Sequence, residues 1–180
     1  MTLNLSGGQR QEIRNGSQAA LTGIDGQQRP EPLHNSLNPA AWFFPALLVA
    51  GLVQDTSYSV TYAGVEDLNG TSVHHFQTVR TLPGQGDAGA MELLRQLTTF
   101  DLYVDASTFL PVALEFNTHP HDNALQDLPV RIGFSDYRSA GGVVTPFHLQ
   151  KFLQRTLLLD VSVTSVVTNA GLPPSDFQIQ

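Results

Sequence analysis

Apolar and polar side chains alternate along most of the chain, and a period of two residues is typical of strands that bury one face. In the segment 57–64, for example, Tyr58, Val60 and Tyr62 share one side. The pattern predicts strands at residues 9–14, 17–24, 57–64, 71–82, 99–105, 111–118, 130–138, 143–153 and 156–168. Asn-Gly, Asp-Gly and Gly-Gly pairs separate several of these segments and predict tight turns. We therefore expect consecutive strands to pair antiparallel.

The segment 39–53 departs from this alternation and is apolar at nearly every position. It is shorter than the roughly 20 residues that a membrane-spanning helix needs. We predict an apolar helix within 37–54, with a short turn at 39–44 and Pro45 in the first helical turn, where the missing N–H does no harm. Because apolar residues fall on every side, we expect this helix to be buried nearly all round. The alternative is an exposed apolar plug that meets a lipid or a partner.

Several hairpins combined with one or two helices define an α+β fold with an antiparallel sheet. The apolar helix is the obvious cover for the buried face of the sheet, and residues 91–97 predict one or two further helical turns. A sheet that curves around this helix leaves a hydrophobic concavity between them. We expect a single domain over 1–180. Its predicted parts are N-terminal strands at 1–36, the helix at 37–54, the main sheet at 55–168 and a tail at 169–180.

Composition narrows the function classes. A length of 180 residues fits one domain. The chain has no cysteine, which excludes disulfides, thiolate metal sites and a cysteine nucleophile. A formal net charge of −7 argues against nucleic-acid binding, which needs a positive surface. Residues 1–11 lack the basic start and apolar core of a signal peptide. The protein is therefore either cytoplasmic or has lost a leader.

Histidines are the strongest candidates for reactive chemistry. His119, His121 and Asp122 lie within four residues, but Pro120 and polar flanks indicate a loop. His74 and His75 are adjacent on a predicted strand, so they point to opposite faces and only one of them can join a given site. A zinc site needs three or four converging ligands. We therefore predict no metal and no cofactor.

Other motifs carry no catalytic signal. Gly84-Gln85-Gly86 resembles a nucleotide loop but lacks the Lys-Ser/Thr that follows the glycines of a phosphate-binding loop, so 83–90 is interpreted as a connecting loop. Glu66 and Asp67 are consecutive and precede a turn. Basic residues are eight arginines and Lys151 alone. Arg80, Arg131 and Arg138 lie on predicted strands, and one of them can face the concavity and bind an anionic headgroup, although exposed side chains beside acidic neighbours are the simpler interpretation.

Four stretches together resemble the lipoprotein carrier superfamily of LolA and LolB, which includes the amino-terminal domain of RseB. They run over residues 61–76, 102–116, 136–149 and 167–177. The first carries a strand, an Asn-Gly turn and a second strand, and the second carries Asp105, Thr108 and Pro111 at a hairpin. Each motif alone is ordinary turn chemistry, and their order and spacing carry the resemblance. It covers roughly residues 56–180.

This resemblance implies an open, half-closed antiparallel barrel with helices plugging its concave face. It also implies non-enzymatic binding of a hydrophobic ligand, a lipid or a lipoprotein acyl chain, in the periplasm or cell envelope, with no membrane span. The partner is then a lipid or an acylated protein. The alternative is a protein-interaction or sensor module whose cavity is filled. The residues expected to line or plug the cavity are Trp42, Phe43, Phe44, Leu47, Leu48, Phe76, Leu114 and Phe116.

Overall fold

Two antiparallel sheets, of four and seven strands, make up most of the structure, a computed structural model that describes residues 1–15, 18–37, 39, 41–81 and 87–179. The smaller sheet runs in the order β1 (Thr2–Leu5), β2 (Gly8–Asn15), β3 (Gln18–Thr22) and β4 (Gln28–Pro30). The larger sheet holds β5 (Tyr58–Leu68), β6 (Thr71–Arg80), β7 (Phe100–Asp105), β8 (Pro111–Thr118), β9 (Leu128–Ala140), β10 (Val143–Leu153) and β11 (Thr156–Ser162). Sequential strands are neighbours throughout, and β5 and β11 are the two edges, so the larger sheet is open.

Three α-helices accompany the sheets: α1 (Leu33–Ser36), α2 (Pro45–Gln54) and α3 (Ala88–Thr98). Pro45 is the first residue of α2, as predicted, because its fixed φ suits the helix start. The side chain of Asp87 caps α3 by accepting a hydrogen bond from the Ala90 N–H at 3.0 Å. Near the C-terminus, Pro174–Phe177 forms one 3₁₀ turn.

Tight turns set the register of the large sheet. Asn69 and Gly70 both have positive φ, and so do Gly141 and Gly142, which is the backbone geometry that joins two twisted strands through two residues. Gly64 lies at a bulge in β5, where the register with β6 shifts. The predicted turns at 69–70 and 140–142 are therefore confirmed. The predicted turn at Asn15-Gly16 falls partly outside the described residues, as does most of the predicted loop 83–90.

Directly paired residues share a face of a sheet, so the register defines two surfaces. Tyr62 pairs with Phe76, Phe76 with Leu102, Leu102 with Leu114 and Leu114 with Ile132. We call the surface that carries this row the inner face and the opposite surface the outer face. Trp42 and Leu48 pack on the inner face. Together with it they form the main core, whose buried members are Trp42, Leu48, Phe100, Leu102, Leu114, Phe116, Val130, Ile132, Phe134 and Leu149.

The expectation that α2 is buried nearly all round is wrong. Of its ten residues only Pro45 and Leu48 are buried, while Leu47 is 60% and Val53 82% exposed. The helix contacts the large sheet chiefly through β10, so only one side of the helix is covered. The structure therefore matches the alternative expectation of an apolar helix with an exposed side.

Elsewhere the local pattern misses elements that depend on distant partners. No individual strand or helix was predicted between residues 24 and 37, where the structure has β4, which pairs with β3, and α1. β1 was not predicted either, and it exists because it pairs with β2. The last strand ends at Ser162 rather than near 168. The helix predicted at 91–97 is longer and begins at Ala88.

Candidate ligand-binding face

The inner face is covered at one end of the sheet and open at the other. At the covered end, Trp42 and Leu48 lie over β9, β10 and β11, where the partly buried Leu153, Leu159 and Val161 pack against the same core. Burial of each such side chain is worth roughly 1.5–3 kcal/mol, so this end is a closed hydrophobic core.

The open end is built on β5 and β6 and carries a ladder of rings. The rings of Tyr62 and Phe76 have centroids 5.3 Å apart, and the Tyr62 ring lies 5.8 Å from that of His74. The Tyr62 hydroxyl lies 3.0 Å from His74 Nδ1, which fixes both side chains. His74 in turn stacks on Phe109 at 5.9 Å. We call these four residues the aromatic ladder.

The aromatic ladder is exposed, yet it is continuous with the core. Phe76 packs against the core cluster, while Tyr62 and Phe109 are largely exposed. The neighbouring Val60, on the same face of β5, is 47% exposed. Antiparallel sheets commonly place polar side chains on a solvated face, so an exposed apolar extension of the core makes this end of the inner face a candidate contact surface.

The eight residues expected from the sequence divide into three groups. Trp42, Leu48, Leu114 and Phe116 meet in the buried core. Phe76 links that core to the aromatic ladder. Phe43 and Leu47 are exposed and Phe44 is half-buried. The structure thus brings five of the eight into one continuous cluster, and their contact with a ligand stays a prediction.

Two cavities flank Trp42 where β2 of the small sheet approaches the large one. One has a volume of about 230 Å³, and Ile13, Ala41, Phe43 and Phe177 supply its apolar walls. The other has a volume of about 120 Å³ and lies between Trp42, Arg10 and Lys151. Both cavities also touch Glu12. Arg14 and Asp176 also line the larger cavity, so the indole of Trp42 separates two cavities that each combine apolar and charged walls.

The sequence pointed to three arginines as possible cations of the concavity, but it missed Lys151. Lys151 pairs with Ile132 and Leu159 and so stands in the same row of the inner face as Tyr62. Its Nζ lies 4.7 Å from the centroid of the Trp42 ring. Burial lowers the pKa of this lysine. The apolar alternation of Leu149 and Leu153 around it was the signal that placed it inward.

The arginines themselves lie elsewhere. Arg80 is at the end of β6 over the Tyr58 ring, with its guanidinium carbon 5.4 Å from the centroid. Arg131 is 3.7 Å from the Glu115 carboxylate, and it pairs across the strands with Glu115 on the outer face. Arg138 binds Asp136 at the far end of β9. Only Arg80 among the three adjoins the inner face, next to Tyr58.

A wide depression of about 990 Å³ lies on the outer face, with Asp101, Glu115, Arg131 and Gln150 among its lining residues. It is larger than either cavity beside Trp42, but these side chains already pair with their neighbours. Gln77, for example, donates to Asp101 at 3.4 Å, and Gln150 donates to Asp160 at 2.9 Å. We interpret this depression as the solvated surface of the sheet.

The histidines do not assemble a metal site within the described residues. His119 is buried and its Nε2 lies 3.0 Å from an Asp127 carboxylate oxygen. His75 is on the outer face between Glu66 and Asp101, at 3.3 and 2.8 Å. His74 belongs to the aromatic ladder. The three side chains are thus engaged in separate structural contacts.

Ser135, His148 and Asp160 form a hydrogen-bonded chain on the outer face that the sequence did not suggest. The Ser135 hydroxyl lies 2.9 Å from His148 Nδ1, and His148 Nε2 lies 2.7 Å from an Asp160 oxygen. Acyl transfer also needs free N–H donors beside the nucleophile. Here Ser135 and Asp160 are exposed, and none of the three residues lines a cavity described above. We interpret the chain as surface structure.

This architecture is similar to known structures. The chain aligns with a domain from Vibrio parahaemolyticus described as an outer membrane lipoprotein-sorting protein domain, with a TM-score of 0.53, at 14% identity and over 95% of this chain and 69% of that chain. A DUF1329 family protein from Desulfovibrio piger gives 0.47 at 11% identity, over 97% and 70% of the two chains. A LolA superfamily protein from Nitrosomonas europaea gives 0.44 at 12%, over 94% and 70%. No protein-family model and no curated protein sequence matches the chain.

The open antiparallel sheet with α2 on its inner face is thus a LolA-like fold. The resemblance carried by the sequence stretches is confirmed at the level of the fold. Within the described residues, no helix combines the length and the apolar character needed to cross a bilayer.

Proposed function

We propose that the protein is a non-enzymatic binder of hydrophobic ligands whose hydrocarbon chain lies on the open end of the inner face. The observation that carries this proposal is the aromatic ladder, an exposed apolar surface that is continuous with the buried core. A ligand chain placed there extends the core over Val60, Tyr62 and Phe76. The exposed apolar residues Leu47 and Val53 of α2 are a further surface that such a ligand can contact.

The driving force is the removal of apolar surface from water. Burial is worth about 25 cal/mol per Å², or roughly 0.8 kcal/mol for each methylene of the ligand. Part of this is offset by the loss of ligand freedom on binding. A chain of about ten methylenes supplies enough free energy to exceed that cost, whereas a short chain does not. The proposal therefore requires a ligand with a long acyl or alkyl chain.

The proposed partner class and location are supported by analogy with a protein of similar fold. The Vibrio parahaemolyticus domain is described as an outer membrane lipoprotein-sorting protein domain. By analogy, we place this protein in the bacterial cell envelope or periplasm, with a lipid or an acylated protein as its partner. We further propose that residues 1–180 act as one domain, since the small sheet and Trp42 together form the cavities beside the inner face.

The second candidate function is a protein-interaction module. It is supported by β5, an edge strand of 11 residues with exposed Val60, Tyr62 and Val65. An unpaired edge of this length is a template for an added strand from another chain. In this case the partner is an extended peptide segment rather than an acyl chain.

Binding of methyl dodecanoate, a neutral twelve-carbon ester, tests the first candidate. Trp42 is the single tryptophan of the chain and adjoins the inner-face core, so its fluorescence reports a titration, and native mass spectrometry gives the stoichiometry. We expect one bound ester. Val60→Ser should weaken binding about tenfold, since it removes roughly 1–1.5 kcal/mol of apolar contact.

Val144→Ser is the matched control, because Val144 is also 47% exposed but lies beside the β9–β10 turn. It should bind the ester as the wild type does. Equal weakening by both variants would place the ligand elsewhere. No binding by any form, together with capture of an extended peptide by β5, would favour the interaction module.

A further inference from the structure

Lys151 is the single lysine of an acidic chain, and it lies on the inner face rather than on the surface. Its neighbours across the strands are Ile132 and Leu159, and the Trp42 ring lies over its Nζ at 4.7 Å. A lysine on a buried sheet face is costly unless its charge is paired. The position therefore needs a reason.

No carboxylate pairs with Lys151 within the part of the chain that the structure describes, and no hydrogen bond to it is formed there. Glu12 and Glu31 are the nearby acids, but neither forms an ion pair with Lys151 there, and the Glu12 carboxylate is bound by Arg14 at 2.8 Å. The contact with Trp42 compensates the ammonium only in part, since such contacts are worth about 0.5–2 kcal/mol. The ammonium group is thus available to an external anion.

A second unpaired cation faces the same space. Arg10 and Lys151 both line the cavity of about 120 Å³, and the exposed Arg10 makes no ion pair within the described residues. The other lining residues are the apolar Leu3, Leu158, Leu159 and Trp42, together with Met1 and with Glu12, whose carboxylate is bound by Arg14. At roughly 30 Å³ for each water in the liquid, the cavity has room for a few water-sized groups and none for a long chain.

We propose that this cavity binds the anionic group, a carboxylate or a phosphate, of an amphiphilic ligand. Lys151 acts as a point charge and Arg10 presents a fork of N–H donors, and the two together suit an anion with at least two oxygens. The apolar walls favour an anion that carries a hydrocarbon chain over a free ion. The inference rests on the proposed function, because it assumes a ligand with a long hydrocarbon chain, which would leave the cavity over its apolar rim at Leu3 and the exposed Leu158.

Three probes test this inference, with Trp42 fluorescence as the readout since the indole touches the cavity. They are dodecanoate, its methyl ester and inorganic phosphate, each titrated into the full chain at neutral pH and constant ionic strength. We expect dodecanoate to bind at least tenfold more tightly than the ester. Lys151→Met keeps an unbranched side chain of similar length and removes the charge, and it should abolish that difference by weakening the binding of dodecanoate.

Arg10→Gln provides a second variant on an exposed residue, in case Lys151→Met folds poorly, and it should reduce the preference for the acid several-fold. Arg155→Gln is the matched control. It makes the same change in net charge at the β10–β11 turn, outside the cavity, and should preserve the full preference.

The outcomes separate this inference from the proposed function. Equal binding of acid and ester overturns the anion site and leaves the hydrophobic-ligand proposal standing. A third outcome is that phosphate binds, that this binding is lost in Lys151→Met, and that neither dodecanoate nor the ester binds. That result supports a site for a free anion and overturns both the amphiphilic ligand and the proposed function. Tight dodecanoate binding that excess phosphate displaces only in part supports the amphiphile. If Arg155→Gln loses the preference for dodecanoate over the ester as fully as Lys151→Met does, the preference arises from long-range electrostatics, and the proposed anion site is overturned.

Discussion

Asn35 and His119 are joined by two hydrogen bonds that reproduce the pairing of neighbouring strands. The Asn35 side chain donates from Nδ2 to the His119 carbonyl at 2.8 Å, and its Oδ1 accepts from the His119 N–H at 2.9 Å. Oδ1 also accepts from the Thr118 hydroxyl at 2.9 Å. These bonds attach α1 to the end of β8. The turn that contains Trp42 follows α1 in the chain. The buried amide therefore fixes where the segment leading to α2 begins.

Asn35→Ala should lower the free energy of unfolding by about 2–3 kcal/mol, because it leaves buried backbone groups of His119 without partners. Chemical denaturation with the midpoint and slope measured separately checks this. Asn35→Asp is the informative companion. It has the same shape and retains an acceptor, but it loses the Nδ2 donor, so we expect it to be destabilised as well. Wild-type stability in both variants would contradict the role assigned to this amide.

Two neighbouring leucines of α2 should behave in opposite ways. Leu48 is 7% exposed and Leu47 is 60% exposed. Leu48→Ala should cost about 2–4 kcal/mol of stability through cavity formation in the core. Leu47→Ser should change stability by no more than about 0.5 kcal/mol but weaken the binding of methyl dodecanoate. Thermal unfolding and ester titration on both variants check the pair, and unchanged ester binding in Leu47→Ser would remove α2 from the ligand site.

Lys151→Met should raise the free energy of unfolding at neutral pH by about 1 kcal/mol. The reason is that a half-buried ammonium without a carboxylate partner disfavours folding. Burial holds the pKa of the folded lysine below the 10.5 of a free lysine. Between these two pKa values the unfolded chain binds more protons than the folded one. The wild type therefore gains stability as the pH rises through this window.

Lys151→Met lacks this gain, so its stability advantage should shrink as the pH approaches about 10.5. All other ionisable groups are common to both proteins, so their contributions cancel in the comparison. Urea denaturation of both proteins at neutral and alkaline pH measures the difference. A constant advantage at every pH would show that Lys151 acts through packing rather than through its charge.

The β9–β10 turn offers a test of backbone conformation. Gly141 and Gly142 both have positive φ, so alanine at either position costs about 1 kcal/mol. A Cβ at Gly141 would also overlap the Thr168 hydroxyl, whereas one at Gly142 meets open space. We expect Gly141→Ala to lose about 2 kcal/mol and Gly142→Ala about 1 kcal/mol. Combining Gly141→Ala with Thr168→Ala should recover the difference, and no recovery would mean that the tail does not pack on this turn.

Most of the large sheet could be predicted from the sequence because its causes are local. Alternation identifies strands, and paired turn residues such as Asn69-Gly70 join neighbours in order. Once sequential strands pair, the alternation of side chains assigns every second residue to the inner face, which is why Phe76, Leu114 and Phe116 lie on the same face. Pro45 marked the start of α2 for an equally local reason, its fixed φ and missing N–H.

The covering of that sheet could not be predicted in the same way. The sequence of an apolar helix does not indicate which side contacts the sheet. Leu47 and Leu48 therefore could not be distinguished before α2 was seen packed against β10. β4 and α1 are too short to be stable alone. β4 is stabilised by pairing with β3, and α1 by the hydrogen bonds between Asn35 and His119.

The sequence by itself therefore determined the strand order, the turns and the apolar inner face, because each depends on residues close together in the chain. Tertiary structure alone decided which apolar residues stay exposed, and it brought Arg10 and Trp42 to Lys151 from more than a hundred residues away. The burial and the electrostatic environment of Lys151 depend on contacts between segments that are far apart in the chain. A local sequence pattern does not specify such contacts, so the candidate ligand site could be identified only from the packing of the small sheet, α2 and β10.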